Sequence, residues 1–201
     1  MLDSVAEVNL QVHRLDDLKK SPKWLVIAVH SAAQGALTCY LHQGNGLMTW
    51  PKKVSDAWLQ WYETGNDNPK VKLDYFIPLY AKAKETALAS NETSVSCVFT
   101  DHHQTQVESL NGLRNRLIHF ESGIEFIFQD HLISLVQSGL DTVAALSKSM
   151  QFPWHRSDDR EHEIATLATH LELIQLRLLV LASDCGQTTA ATGDCTGETI
   201  F

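Results

Sequence analysis

Between residues 24 and 41 the chain reads WLVIAVHSAAQGALTCYL, without a single Asp, Glu, Lys or Arg. A run this long and uncharged has to be hidden from water, and it is close to the shortest length, about 17 residues, that crosses a bilayer as a helix. The polar residues decide between the two. His30, Gln34, Thr38 and His42 recur every four residues and draw a polar stripe along one side of a helix. Ala32, Ala33, Gly35 and Ala36 are small enough to let neighbouring helices approach closely. Polar groups are costly in lipid. The expectation is therefore a central core helix of a soluble protein, with the other elements packed around it and no membrane partner.

Those other elements also show helical period. Val5, Val8, Val12, Leu15 and Leu18 make one apolar face over residues 3–19. KSPKW ends that helix and starts the next, with Ser21 as a cap and Pro22 in the first turn, where its missing donor does no harm. HQGNGLMTWPKK is a loop by its glycines and proline. A short helix over 54–63 carries Trp58, Trp61 and Tyr62, which are assigned to the core rather than to a base-stacking platform. Residues 73–89 form a further helix, with Pro78 at a kink or in the first turn. SNETSVSCVFTDHH has the β-branched content of a short extended segment.

A helix over 101–120 follows, capped by Thr100 or Asp101, with His102 and His103 in its first turn. ESGIEFIFQD reads as a turn with a short extended piece, and residues 131–150 as a helix. The final helix opens at Asp158, with Glu161 three residues on as a capping-box pair. The last stretch, DCGQTTAATGDCTGETIF, has the small, polar make-up of a disordered tail. The sum is an all-α bundle of five to six helices in one domain, residues 1–183, followed by a tail, 184–201.

Several functional classes fall away. Cys39, Cys97, Cys185 and Cys195 have no short paired spacing, so neither a disulfide framework nor a zinc site is indicated, and they read as reduced thiols. Adjacent His102 and His103 diverge on a helix and lack a recognisable third ligand. The acids and histidine between Asp158 and Glu163 suit a solvated helix start stabilised by the macrodipole. No metal or other cofactor is expected. The first residues carry acids where a secretory signal would carry a basic region and an apolar block, which points to the cytoplasm. A net charge of -8 supplies no bulk attraction to nucleic acid, so any RNA contact would have to be local.

The densest polar chemistry sits in LNGLRNRLIHFE, residues 110–121. At about 100° per residue, Val107, Leu110, Leu113, Leu117 and Phe120 share one sector, the core face. Asn115 and His119, four apart, stand together on nearly the opposite side, with Arg114 and Arg116 flanking the apolar stripe. Arg114 and His119 are about 140° apart around an ideal helix, so one copy does not aim both at one point. A symmetric dimer in which the helix meets its own copy would line one cleft with both polar faces. Histidine as acid or base and arginine as a phosphate clamp suit metal-free phosphodiester cleavage of RNA, whose own 2′-hydroxyl is the nucleophile.

RNRLIHF, residues 114–120, resembles the signature of HEPN domains: an arginine, a polar residue directly after it, often asparagine, and a histidine four to six residues beyond the arginine. The resemblance implies a HEPN-like helical bundle that forms a homodimer through the helix of residues 101–120, and often a metal-independent endoribonuclease. It assigns Arg114, Asn115 and His119 to catalysis and Arg116 to RNA binding. Similar proteins are toxins of toxin–antitoxin pairs, phage-defence effectors and RNA-processing enzymes, so a cognate antitoxin or regulatory protein is an implied partner. Other members are non-catalytic dimerisation or interaction modules. Glu121 stands where nucleotidylated relatives carry tyrosine, so that form of control is not implied.

Overall fold

A computed structural model describes residues 1–15, 22–65, 68–119, 129–149 and 151–191. Among these residues the chain is helical, with no strand. Eight α-helices follow one another: α1 Leu2–Arg14, α2 Lys23–Leu41, α3 Lys52–Thr64, α4 Phe76–Ala89, α5 Thr93–Ser96, α6 Asp101–His119, α7 Gln129–Leu146 and α8 Arg160–Ala191. Short 3₁₀ turns lie at Leu47–Thr49, Cys97–Phe99 and Pro153–Arg156. The all-α expectation is met; eight helices are described where five to six were expected, and the single-turn α5 is the one that falls where an extended segment was expected.

The uncharged run forms α2, and α2 is the hub of the bundle, packing against α1, α4, α6 and α7. Leu25, Val26, Val29, Leu37 and Leu41 are buried in it. Its small residues permit close crossings: a Cβ built on Gly35 would meet Met1 at 3.4 Å. The same economy operates on α7, where a Cβ at Gly139 would come within 2.3 Å of Val29 Cγ1. Pro22 stands just before the helix instead of inside its first turn, and its carbonyl accepts the Val26 N–H at 3.0 Å. Ser21 and Leu18 lie outside the described residues. On α1, Val5, Val8, Val12 and the following Leu15 are buried as their spacing required.

Pro78 occupies the first turn of α4, where no intrahelical donor is lost. Phe76, Leu79, Tyr80, Ala83 and Ala87 then fall on one buried face. Tyr80 places its ring 5.3 Å from Phe99 and donates its hydroxyl to the Val98 carbonyl at 2.6 Å. Residues 93–99, expected to be extended, are instead helical turns. Val95, Val98 and Phe99 are buried there; branched side chains served packing, not a sheet, because no strand offers them a partner among the described residues.

The aromatic helix is the main correction. No residue of α3 is buried, and Tyr62 is 73% exposed. Trp58 stacks on Tyr62 (ring centroids 5.5 Å apart, planes 12° apart) and lies 5.8 Å from Trp61 and 6.1 Å from Trp50. The aromatics shield one another on a helix that stands off the bundle, packed chiefly on the 3₁₀ turn before it. Gly65, in the left-handed region at φ 73°, ends this helix. Its root is tied down by polar contacts: Ser55 donates to Leu47 O at 2.7 Å, Asp74 N to Thr49 O at 2.9 Å, and Lys82 both to Trp50 O and to Asp74 Oδ2.

At the other end, α8 begins at Arg160, one residue later than a helix capped by Asp158 would, and continues to Ala191, eight residues past the boundary set at residue 183. Residues 192–201 and the segment 120–128, including the extended piece expected after Glu121, lie outside the described residues. The face of α8 bearing Leu167, Ile174, Leu178 and Leu181 is buried, and the helix packs on α1 and α7. Among the described residues two helices are long and apolar enough to cross a membrane, α2 and Arg160–Ser183 of α8; 61% of the first window and 22% of the second are buried inside the protein.

Candidate functional site

The site has to be read from α6 outwards. Thr100 caps the helix, its hydroxyl accepting the His103 N–H at 3.2 Å. Val107, Leu110, Leu113 and Leu117 are buried, as the helical projection requires, and anchor α6 against α7 and α2. Phe120 lies outside the described residues. His102 is exposed, whereas His103 turns inward and is 8% exposed. The Thr142 hydroxyl already donates to Ser138 O, so it accepts from His103 Nε2–H at 3.0 Å. Burial lowers the His103 pKa and favours the neutral ring. This histidine is structural.

With the leucines turned inward, the polar groups of α6 fall along its edge beside α2 and on the outer face. Arg114 and Asn115 are half-buried, and Arg114 Nη1 donates to Asn115 Oδ1 at 2.9 Å. His119, one turn beyond Asn115, is exposed at the last helical position, and Arg116 is exposed. The structure thus joins Arg114 to Asn115 directly and leaves His119 open to solvent on the same stretch. Gly112 is exposed too, with nothing within 4 Å of a Cβ built on it. Thr105, Glu108 and Gly112 continue the outer stripe in alternating steps of three and four.

Sequence reasoning missed two members of this cluster. His30, read as part of a polar stripe on α2, is 3% exposed, and its Nε2–H donates to Asn111 Oδ1 of α6 at 3.1 Å. Phe76 packs against its ring at a centroid distance of 4.2 Å. Burial is the largest cause of its lowered pKa, about 4; the Asn111 bond opposes the shift, and the Arg114 guanidinium adds to it. At neutral pH the ring is uncharged. The four-residue spacing of Asn111, Asn115 and His119 was available in the sequence as a signal. What it could not supply was the α2 face against which the first of them packs.

The result is a polar gradient: His30 buried, Asn111, Arg114 and Asn115 half-buried, His119 exposed. The arginine is a permanent positive charge steadied by an amide, and the outer histidine is reachable by a ligand or a second chain. Among the described residues no group of three or more His, Cys, Asp or Glu is placed to hold a metal ion. Comparison with protein-family models, curated proteins and solved structures finds no match to this chain.

Proposed function

We propose that the protein is a metal-independent endoribonuclease of HEPN type, acting as a homodimer whose α6 helices meet across a two-fold axis. The observation that carries this reading is the Arg114–Asn115 hydrogen bond beside the exposed His119 on α6. The guanidinium would hold the scissile phosphate and the extra negative charge of the transition state. An imidazole would take the proton of the RNA 2′-hydroxyl as its oxygen attacks phosphorus. The P–O5′ bond then breaks, its oxygen takes up a proton, and a 2′,3′-cyclic phosphate is left behind. Two His119 side chains, one from each copy, would divide the base and acid roles, and exposed Gly112 leaves room for the close helix approach this needs. Arg116, on the outer surface, would add a phosphate contact. Unrestrained RNA cleavage harms its host, so a toxin or phage-defence role with a regulatory protein or antitoxin suits the chemistry.

The test is cleavage of single-stranded RNA by the purified chain in excess chelator, with the ends analysed for cyclic phosphate. His119→Ala is expected to lower the rate by at least about 100-fold, the usual scale for a general acid or base, with an unchanged melting curve. Cleavage by His119→Ala at the wild-type rate would overturn the proposal. A second reading, a non-catalytic interaction module in the cytoplasm, is favoured by the outward-facing aromatics of α3; it requires wild-type protein with no cleavage under any of these conditions.

A further inference from the structure

The half-buried edge of α6 beside α2 shows a pattern of hydrogen-bond donors that its residue types alone do not dictate. An asparagine amide offers an acceptor oxygen and two N–H donors, and an arginine offers donors only. Here both amide oxygens are engaged inside the protein. Asn111 Oδ1 receives His30 Nε2–H at 3.1 Å, and Asn115 Oδ1 receives Arg114 Nη1–H at 2.9 Å. The two Nδ2 amino groups have no partner among the described residues, and neither is an orphan sealed from water. The edge therefore presents amide N–H groups and a guanidinium to the outside, with the amide oxygens turned away.

These donors stand close together. Asn111 lies three residues from Arg114 and four from Asn115, spacings that bring Cβ atoms on a helix surface to about 5–6 Å. The Arg114–Asn115 hydrogen bond closes the triangle. Charge points the same way: residues 109–120 hold Arg114 and Arg116 and no acid, in a chain whose net charge is -8. Glu108, three residues before Asn111, accepts from Gln104 Nε2 at 2.9 Å. We propose that this triangle binds one phosphodiester of single-stranded RNA, with Asn111 as a phosphate-binding residue and buried His30 as the positioning residue that keeps its amide turned donor-outward. The RNA is taken from the endoribonuclease reading, on which that part rests; the preference for an anion follows from the donors alone.

His30 can hold the amide because its own ring is fixed. It is 3% exposed, and Phe76 packs on it at a centroid distance of 4.2 Å. An uncharged imidazole carries one N–H, and the Asn111 oxygen facing Nε2 places it there. Turning the Asn111 amide over would set its N–H groups against Nε2–H, donor against donor, and leave a buried group without its hydrogen bond. The Arg114 N–H locks the Asn115 amide by the same argument. The donors are thus aimed before any ligand arrives, the condition under which fixed dipoles stabilise negative charge best. A phosphate held there would sit within a helical turn of the exposed His119 imidazole, since Asn115 and His119 are four residues apart.

The test measures binding apart from cleavage. A fluorescent single-stranded RNA with 2′-fluoro sugars, which lacks the hydroxyl nucleophile, is titrated with the intact chain by anisotropy at low salt. Asn111→Asp keeps the side-chain shape and the bond from His30 but turns an acceptor outward. It is expected to weaken binding by about 10-fold or more, the scale of a hydrogen bond to a charged group. Thr105→Asp, which adds the same charge on the exposed face of α6 farther from the triangle, should weaken it by no more than about twofold. His30→Gln and His30→Met fill the same space and differ in whether a donor reaches Asn111. The glutamine variant should bind close to wild type and the methionine variant about threefold more weakly or worse, with matching melting curves. Wild-type affinity in Asn111→Asp, equal losses in Asn111→Asp and Thr105→Asp, or equal affinities of the two His30 variants would each overturn the proposal. So would no binding by wild type, or displacement of the RNA by inorganic phosphate at the same phosphate concentration. These affinities without any cleavage of ordinary RNA sink the nuclease reading alone; His119-dependent cleavage with an unimpaired Asn111→Asp sinks this one alone.

Discussion

Helices α2 and α8 pass the same test of length and apolarity, yet 61% of one window is buried and only 22% of the other. The difference is one of neighbours. α2 is enclosed by α1, α4, α6 and α7, so even His30 is carried into the interior and must find Asn111. α8 packs on one side only, and its other side keeps leucines in water. Apolarity in a sequence therefore marks a surface that wants a partner; the fold decides whether the partner is within the chain.

The sharpest way to break this contrast is a matched pair of truncations. Leu37→Ala, at a fully buried α2 position, is expected to cost about 2–5 kcal/mol, the transfer loss plus the cavity left behind. Leu176→Ala, made on the exposed α8 face and measured at concentrations low enough to keep the chain dissociated, should change stability by no more than about 0.5 kcal/mol. Urea midpoints for the two variants check this. Equal losses would show that the α8 face is covered in the dissociated protein.

Acidification probes the same contrast from inside α2. The folded pKa of His30, about 4, lies below the ordinary value of 6.5. The unfolded chain therefore takes up the proton first as pH falls. Stability is unaffected by this group above pH 6.5, declines between 6.5 and 4, and declines no further from this source below 4. The full loss is about 3 kcal/mol at 1.36 kcal/mol per pKa unit. His103 acts in the same direction. A His30→Gln variant, which cannot titrate, should show a visibly flatter profile over this range in chemical denaturation. An unchanged slope would mean that the burial of His30 does not govern it.

The smallest of the three effects tests how tightly α2 is gripped. Gly139→Ala places a Cβ 2.3 Å from Val29 Cγ1, and a β-branched side chain in a helix has little freedom to turn away. Helix propensity favours alanine by about 1 kcal/mol, but overpacking costs about 1–3 kcal/mol, so a net loss is expected in thermal melting. A gain would show that the α2–α7 crossing relaxes easily.

These contrasts also mark what could be read in advance. The faces of α1 and α6 were legible because three- and four-residue spacing identifies the apolar side of a helix whatever packs on it. The apolar bulk of Trp58, Trp61 and Tyr62 pointed to the core, and wrongly, since aromatics can also be sheltered by one another on an outlying helix. Residues 93–99 misled by composition: branched side chains that would suit a strand were buried as helical turns. At the candidate site, Arg114, Asn115 and His119 could be placed on their helix from spacing alone. His30 and Asn111 could not, because their meeting joins two helices far apart in the chain, and no local pattern encodes which stripe of α2 faces α6.

The chain leaves the bundle at Thr49 and returns at Asp74, and those two residues are joined by a backbone hydrogen bond of 2.9 Å. Both ends of the excursion thus meet at one point, so the aromatic helix is architecturally an insert between the helices packed around α2.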